Sequence, residues 1–283
     1  MLGKGRLGRK SVKQKGFRKG VTQMRQRNLL FIMILVGMMS SVTLAISPMG
    51  PAPSPLGQGQ NAVGAGVAMT RQPLEVSGPL GPATGTGGAE LSDFENFIYN
   101  VSIGHGISDT TSVFAILGFA DAEFGADSGS DFEGGSEFAY GVQVNRTIHD
   151  NGKDTKWGVA IQYLTGKSDD GVSTLSTYGN GWISAGPGYD LRVDWYQIQV
   201  LLGPAVQVNQ DLCIYGGAVL QRIEGDLTVN GTSARAEYEL EQAIELGLQC
   251  GAQINLGGNA SLNIEGVITE QSWGIGAGVV VPL

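Results

Sequence analysis

A chain of 283 residues with 45 glycines and 16% charged residues is too rich in glycine for a helical bundle, and its glycines keep no collagen-like period of three. Ten of the eighteen lysines and arginines fall within residues 1–28, which hold no acidic residue, so residues 46–283 carry eight basic groups against all 26 acidic ones. That acidic balance excludes nucleic acid as a partner, because phosphates need a basic footprint.

The chain opens on a targeting pattern. The run LLFIMILVGMMSSVTLA (29–45) follows Arg25 and Arg27 and ends on the small residues Thr43 and Ala45, the layout of a secretory signal peptide. Ser40, Ser41 and Thr43 cut the apolar run below the ~20 residues of a spanning helix. Residues 1–45 are therefore expected to be removed. Met24 would open a signal of ordinary length, so translation could start there or at Met1. The next stretch, ISPMGPAPSPLGQGQ (46–60), reads as a Pro/Gly-rich linker, and 61–283 as one domain.

From residue 61 onward apolar residues recur at every second position, the period of a strand. The alternation places strands near 61–70, 93–107, 111–124, 134–147, 156–167, 190–208, 211–227, 234–255, 259–269 and 272–282. The clearest rows are Phe138/Tyr140/Val142/Val144, Trp157/Val159/Ile161/Tyr163 and Tyr196/Ile198/Val200/Leu202. The longest is EYELEQAIELGLQ (237–249). Its even positions are mostly apolar (Tyr238, Leu240, Ile244, Leu246, Leu248), and its odd positions carry Glu237, Glu239, Glu241 and Glu245.

Connections alternate between short turns (108–111, 208–211, 256–259) and long loops near 71–92, 125–133 and 168–189 that are rich in Gly, Asp and Ser. Long strands, export and this asymmetry point to a closed, antiparallel, up-and-down transmembrane β-barrel. Ten strands are expected, or eight if weak segments drop out, since both barrel ends must lie on the periplasmic side. On this reading one face of each strand meets lipid and the other a polar lumen. The alternative is a soluble periplasmic or secreted β-barrel with its apolar row inside, around an apolar ligand.

The units GISDTTSVFAILGF (106–119), VNQDLCIYGGAVL (208–220) and NLGGNASLNIEG (255–266) resemble strand–turn–strand units of small outer-membrane β-barrel proteins, the opacity-type and OmpA-like group. The resemblance covers roughly residues 60–283. It implies a monomeric barrel of 8–10 strands in the bacterial outer membrane, in contact with its lipid and its assembly machinery. Two departures stand out: the chain ends on Leu283 where such barrels end on an aromatic residue, and no peptidoglycan-binding domain follows the barrel.

No catalytic group or metal site emerges. His105 and His149 have no Ser or acid assignable to them, no His/Cys spacing suits a metal, and no cofactor is expected. The distinctive constellation is charged: Arg222, Glu224 and Asp226 on one strand and Arg235, Glu237, Glu239, Glu241 and Glu245 on the next, read as lining the lumen. Such a lining makes either a narrow cation-preferring pore or, the favoured reading, a filled barrel whose charges pair with one another. A structural or surface-interaction role is then expected, with an extracellular partner engaged through the acidic loops. Closing a hairpin on Asn230–Gly231 sets Arg222 opposite Glu239 and Asp226 opposite Arg235. The same register brings Cys213 and Cys250 to one face as diagonal neighbours, from which a Cys213–Cys250 disulfide is expected in an oxidising compartment.

Overall fold

A computed structural model describes residues 49–77, 89–126, 130–170, 190–230 and 235–283; the expected signal peptide lies outside them. Twelve strands follow in chain order: β1 (Asn61–Ser77), β2 (Ala89–Ser108), β3 (Thr111–Ala126), β4 (Ser130–Glu133), β5 (Glu137–Asp150) and β6 (Thr155–Asp170), then β7 (Asp190–Gln207), β8 (Leu212–Asn230), β9 (Arg235–Glu241), β10 (Glu245–Gly257), β11 (Ala260–Thr269) and β12 (Trp273–Pro282). Every pairing is antiparallel, and β12 returns to β1 in an unbroken register from Ala62↔Pro282 to Arg71↔Trp273. The sheet is a closed barrel with no free edge at that seam, which lets strands satisfy their backbone within hydrocarbon.

Ten strands form the wall at the end that carries the short turns: β1, β2, β3, β5, β6, β7, β8, β10, β11 and β12. This is the periplasmic end, and both barrel termini meet there, with the Leu283 N–H donating to the Asn61 carbonyl (2.8 Å). Nearer the other end the wall changes. β9 pairs with the upper part of β8 and with Glu75–Ser77 of β1, so one strand spans the gap that β10, β11 and β12 fill below. The barrel narrows by two strands, and both expected strand numbers occur at different heights.

The outer face shows where the membrane lies. Ile103, Leu117, Val142, Ile161, Ile198, Leu202, Leu220, Leu246 and Leu248 all point outward and are exposed, Leu246 and Leu248 to 66%. Tyr99, Phe119, Phe138, Tyr140 and Tyr163 sit on the same outward rows, and the Phe138 and Tyr140 rings stack at 6.0 Å. On β7 the band runs from Val206 up to Tyr196; at ~3.3 Å per residue and a tilt near 40° this covers about 25 Å, the height of an outer-membrane apolar belt. A soluble barrel would not expose this surface.

Three expectations need correction. The long strand at 234–255 is two strands, β9 and β10, separated by a break at 242–244. The upper strands reach into regions read as loops, with β1 running to Ser77 and β2 starting at Ala89. The linker is not a free tether: Met49, Ala52 and Leu56 are buried inside the barrel.

Candidate functional site

Among the described residues the interior of the barrel is the one built site, and three layers fill it. The lowest is the segment 49–57. It descends through the lumen to the periplasmic rim, where Gly57 and Gln60 close a turn (Gln60 N–H to the Gly57 carbonyl, 3.1 Å). Gly59, at φ 74°, supplies the left-handed residue this reversal needs before β1 begins.

A single carboxylate anchors the top of the segment. Glu265, on the inward face of β11 and 3% exposed, accepts hydrogen bonds from Met49 N–H (2.7 Å), Gly50 N–H (2.9 Å) and the Tyr215 hydroxyl (2.8 Å). Gln143 and Asn145 of β5 hold the carbonyls: Gln143 Nε2 donates to Met49 (2.6 Å) and Asn145 Nδ2 to Pro51 (3.0 Å). Ser54 N–H donates to Thr147 Oγ1 (3.1 Å). Small residues make the room. A Cβ on Gly158 would run into the Pro53 and Ala52 backbone, and one on Gly106 into the Gly57 carbonyl.

The middle layer is a belt of amides. Gln143, Gln162, Gln199, Gln221 and Glu245 lie directly opposite one another across β5, β6, β7, β8 and β10, all inward and buried. Gln162 Nε2 donates to Gln143 Oε1 (3.0 Å) and Gln199 Nε2 to Gln221 Oε1 (3.3 Å). The belt ends at the β9–β10 break. There Gln242 Nε2 donates to Ser272 Oγ (2.8 Å), Ser272 Oγ to Glu245 Oε2 (2.7 Å), and the Thr269 hydroxyl to the same carboxylate. This cluster staples the tip of the β11–β12 hairpin to the point where the wall loses two strands.

The upper layer is apolar. Leu74, Val76, Phe94, Phe124, Trp195, Ile223, Tyr238 and Leu240 belong to one contiguous buried cluster, with the Phe124 and Phe132 rings stacked at 4.5 Å. Outside this level the rows are charged. Arg71 pairs with Glu95 (3.3 Å), and both Arg192 and Lys167 pair with Asp194 (2.8 Å each).

The charges expected in the lumen are placed differently. Arg222, Glu224 and Asp226 share the outward row of β8 with Ile214 and Leu220, while Val219, Gln221 and Ile223 point in. Arg235, Glu237, Glu239 and Glu241 point outward from β9, opposite the buried Tyr238 and Leu240. Of the eight residues only Glu245 faces the interior. The two arginines pair along their own strands, Arg222 with Glu224 and Arg235 with Glu237.

The cause is the break at 242–244. The register between β8 and β9 (Glu224↔Glu241) and that between β8 and β10 (Gln221↔Glu245) differ by one residue. A one-residue shift sends every following side chain to the other face. The even row that reads as continuous in sequence is therefore inside at Tyr238 and Leu240 and outside at Leu246 and Leu248. Among the described residues the β8–β9 pairing runs from Asn230↔Arg235, so the expected pairs Arg222–Glu239 and Asp226–Arg235 give way to Asp226↔Glu239 and Asn230↔Arg235; Gly231 of the expected turn lies outside the described residues.

The expected disulfide fails for the same reason. Cys213 points into the barrel opposite Gln253, Cys250 points outward opposite Gly216, and both thiols are free. The filling segment, the amide belt and Glu265 went unassigned from sequence. The belt had a signal, since Gln143, Gln162 and Gln199 each sit between outward apolar residues; the segment had none beyond its prolines.

A closed antiparallel sheet with an apolar outer band about 25 Å high defines the class: a bacterial outer-membrane β-barrel. No family model matches the chain, and no curated protein matches it in sequence. Among solved structures it is similar to the outer membrane protease OmpT of Escherichia coli at 9% identity, covering 79% of this chain and 97% of that one with a TM-score of 0.49. It is also similar to the translocator domain of the autotransporter NalP from Neisseria meningitidis (13% identity, 81% and 89% covered, TM-score 0.42). A third is the outer membrane protein OprG from Pseudomonas aeruginosa (11% identity, 79% and 96% covered, TM-score 0.41).

Proposed function

We propose that this chain is a closed, non-conducting outer-membrane barrel that presents a rigid, acidic wall above the membrane for surface interaction. The observation that carries this reading is the filled lumen: segment, amide belt and apolar core succeed one another, and the buried carboxylates Glu245 and Glu265 are each tied up in hydrogen bonds to that filling. A cation-selective pore needs carboxylates on the conduction path. Here the carboxylates of β8 and β9 stand on the outside.

Their arrangement suits a cationic partner. Glu75, Glu241 and Glu224 are direct neighbours across β1, β9 and β8 on the outward face, and Asp226 faces Glu239 beside them. Like charges directly opposite destabilise a sheet, and an approaching cationic surface relieves that repulsion. A non-catalytic role is supported by the histidines. His149 is exposed at the periplasmic end of β5, and His105 faces outward near the same end with its Nδ1 against Asn61 Oδ1 (2.8 Å).

Planar-bilayer recordings on the full barrel are expected to show no stable conductance, and a persistent open channel would overturn the closed reading. In parallel, vesicles carrying the barrel should retain a fluorescent oligolysine, with retention falling in the triple variant Glu75→Gln, Glu224→Gln, Glu241→Gln. Equal retention by both barrels would remove the interaction surface from this wall.

A further inference from the structure

The segment 49–57 is held in the manner of a bound peptide. Its hydrogen bonds to the wall are made by the main chain: two successive N–H groups on the Glu265 carboxylate, the carbonyls of residues 49 and 51 on Gln143 and Asn145, and the N–H of Ser54 on Thr147. Its sequence, MGPAPSPLG, places proline at 51, 53 and 55. Each proline removes a backbone donor that would otherwise need a partner inside the barrel, and each favours the extended chain that the lumen accommodates. The wall complements this shape with Gly158 and Gly106, where any side chain would strike the segment's backbone. No strand pairing joins the segment to the sheet; it is tied to the barrel covalently only through the exposed turn at Gln58, Gly59 and Gln60.

We propose that the periplasmic half of the lumen is a binding site for an extended, proline-rich peptide, and that residues 49–57 are its resident, exchangeable occupant. Polar recognition works through the backbone, while Met49 and Leu56 pack against the apolar lining. Glu265 reads paired N–H groups, the β5 amides read alternate carbonyls, and the glycines of β2 and β6 exclude segments with bulk at those points. The site opens only toward the periplasm, because the amide belt and the apolar core close it above. This goes beyond the closed-barrel reading, and binding is measured independently of conductance.

The test keeps the whole chain. A protease site is introduced in the turn at 58–60, the folded barrel is nicked there in detergent, and a fluorescein-labelled peptide of residues 49–57 is added in excess. Fluorescence anisotropy is expected to show saturable exchange at one peptide per barrel. A peptide N-methylated at Gly50, which cannot donate to Glu265, should bind at least about tenfold more weakly, the loss expected for one hydrogen bond to a charged group. Glu265→Gln should weaken the unmodified peptide similarly, and Gly158→Val should abolish binding, each barrel being first shown to fold by its cold-detergent gel mobility. Absence of saturable exchange would overturn the proposal. So would equal affinity for the methylated peptide, a result that requires no variant of the barrel to fold.

Discussion

The two halves of this barrel are built on the same strands with opposite rules. Below the level of Tyr196 and Trp273, apolar side chains face out and amides face in; above it, Phe94, Trp195 and Leu240 face in while Arg192, Asp194, Glu239 and Glu241 face out. β7 shows the change without any break in pairing: its outward row reads Val206, Pro204, Leu202, Val200, Ile198 and Tyr196, then Asp194 and Arg192. The alternation of a strand fixes only which residues share a face. What lies beyond that face, hydrocarbon below and water above, decides the chemistry that face must carry. The upper half is in effect a soluble β-barrel with an apolar core, standing on a membrane barrel.

β9 and β10 meet the same demand by another route. Their even positions stay mostly apolar throughout, and the break at 242–244 turns that row from inside to outside at the membrane boundary. Leu240→Glu is the harshest way to test this. It puts a carboxylate on the inward part of that row, in the apolar core, where Leu240 is buried. The variant is expected not to assemble, giving no heat-modifiable band on a cold-detergent gel. A normally folded Leu240→Glu variant would dissolve the two-half description.

Core truncation separates the halves by magnitude. Trp195→Ala removes a buried ring from the upper core and should cost about 3–5 kcal/mol in reversible urea unfolding from lipid vesicles. On the outer face of the same strand the contrast follows depth. Leu202→Arg puts a charge in the hydrocarbon and should cost about 2–4 kcal/mol, whereas Arg192→Leu, above the band, should change stability by no more than about 1 kcal/mol. If Arg192→Leu proved the costlier, the membrane boundary would have been placed on the wrong side of Tyr196.

The closed barrel was legible in the sequence because alternation, turn length and export each report a quantity the membrane dictates. The ten strands of the lower wall each coincide with an expected stretch. The site was less legible. Glu237 and Glu239 alternate with apolar residues just as lumen-facing residues of a membrane strand would, and composition cannot distinguish a polar inside from a polar outside. Only the register break does so, and it falls at Gln242, Ala243 and Ile244, with no Gly, Pro or Asn to mark it. The filling segment was hidden for a related reason: prolines that signal a solvated linker also suit a peptide bound without strand pairing.

The smallest effect sharpens the comparison within the lower half alone, between inside and outside of one wall. Cys213 and Cys250 lie on neighbouring strands, yet their side chains leave the sheet in opposite directions, toward Gln253 in the lumen and past Gly216 into lipid. A disulfide requires Cβ vectors that converge, so the sheet itself stands between the two thiols. Reductant is therefore expected to leave the gel mobility and the unfolding midpoint unchanged. A lipid-soluble maleimide should label one cysteine in the folded barrel, Cys250, and two after unfolding without reductant, the first label being lost in Cys250→Ser and kept in Cys213→Ser. Unfolded, unreduced protein that accepts no label would mean that β8 and β10 pair in another register, and the inward and outward assignments of both strands would have to be exchanged or shifted.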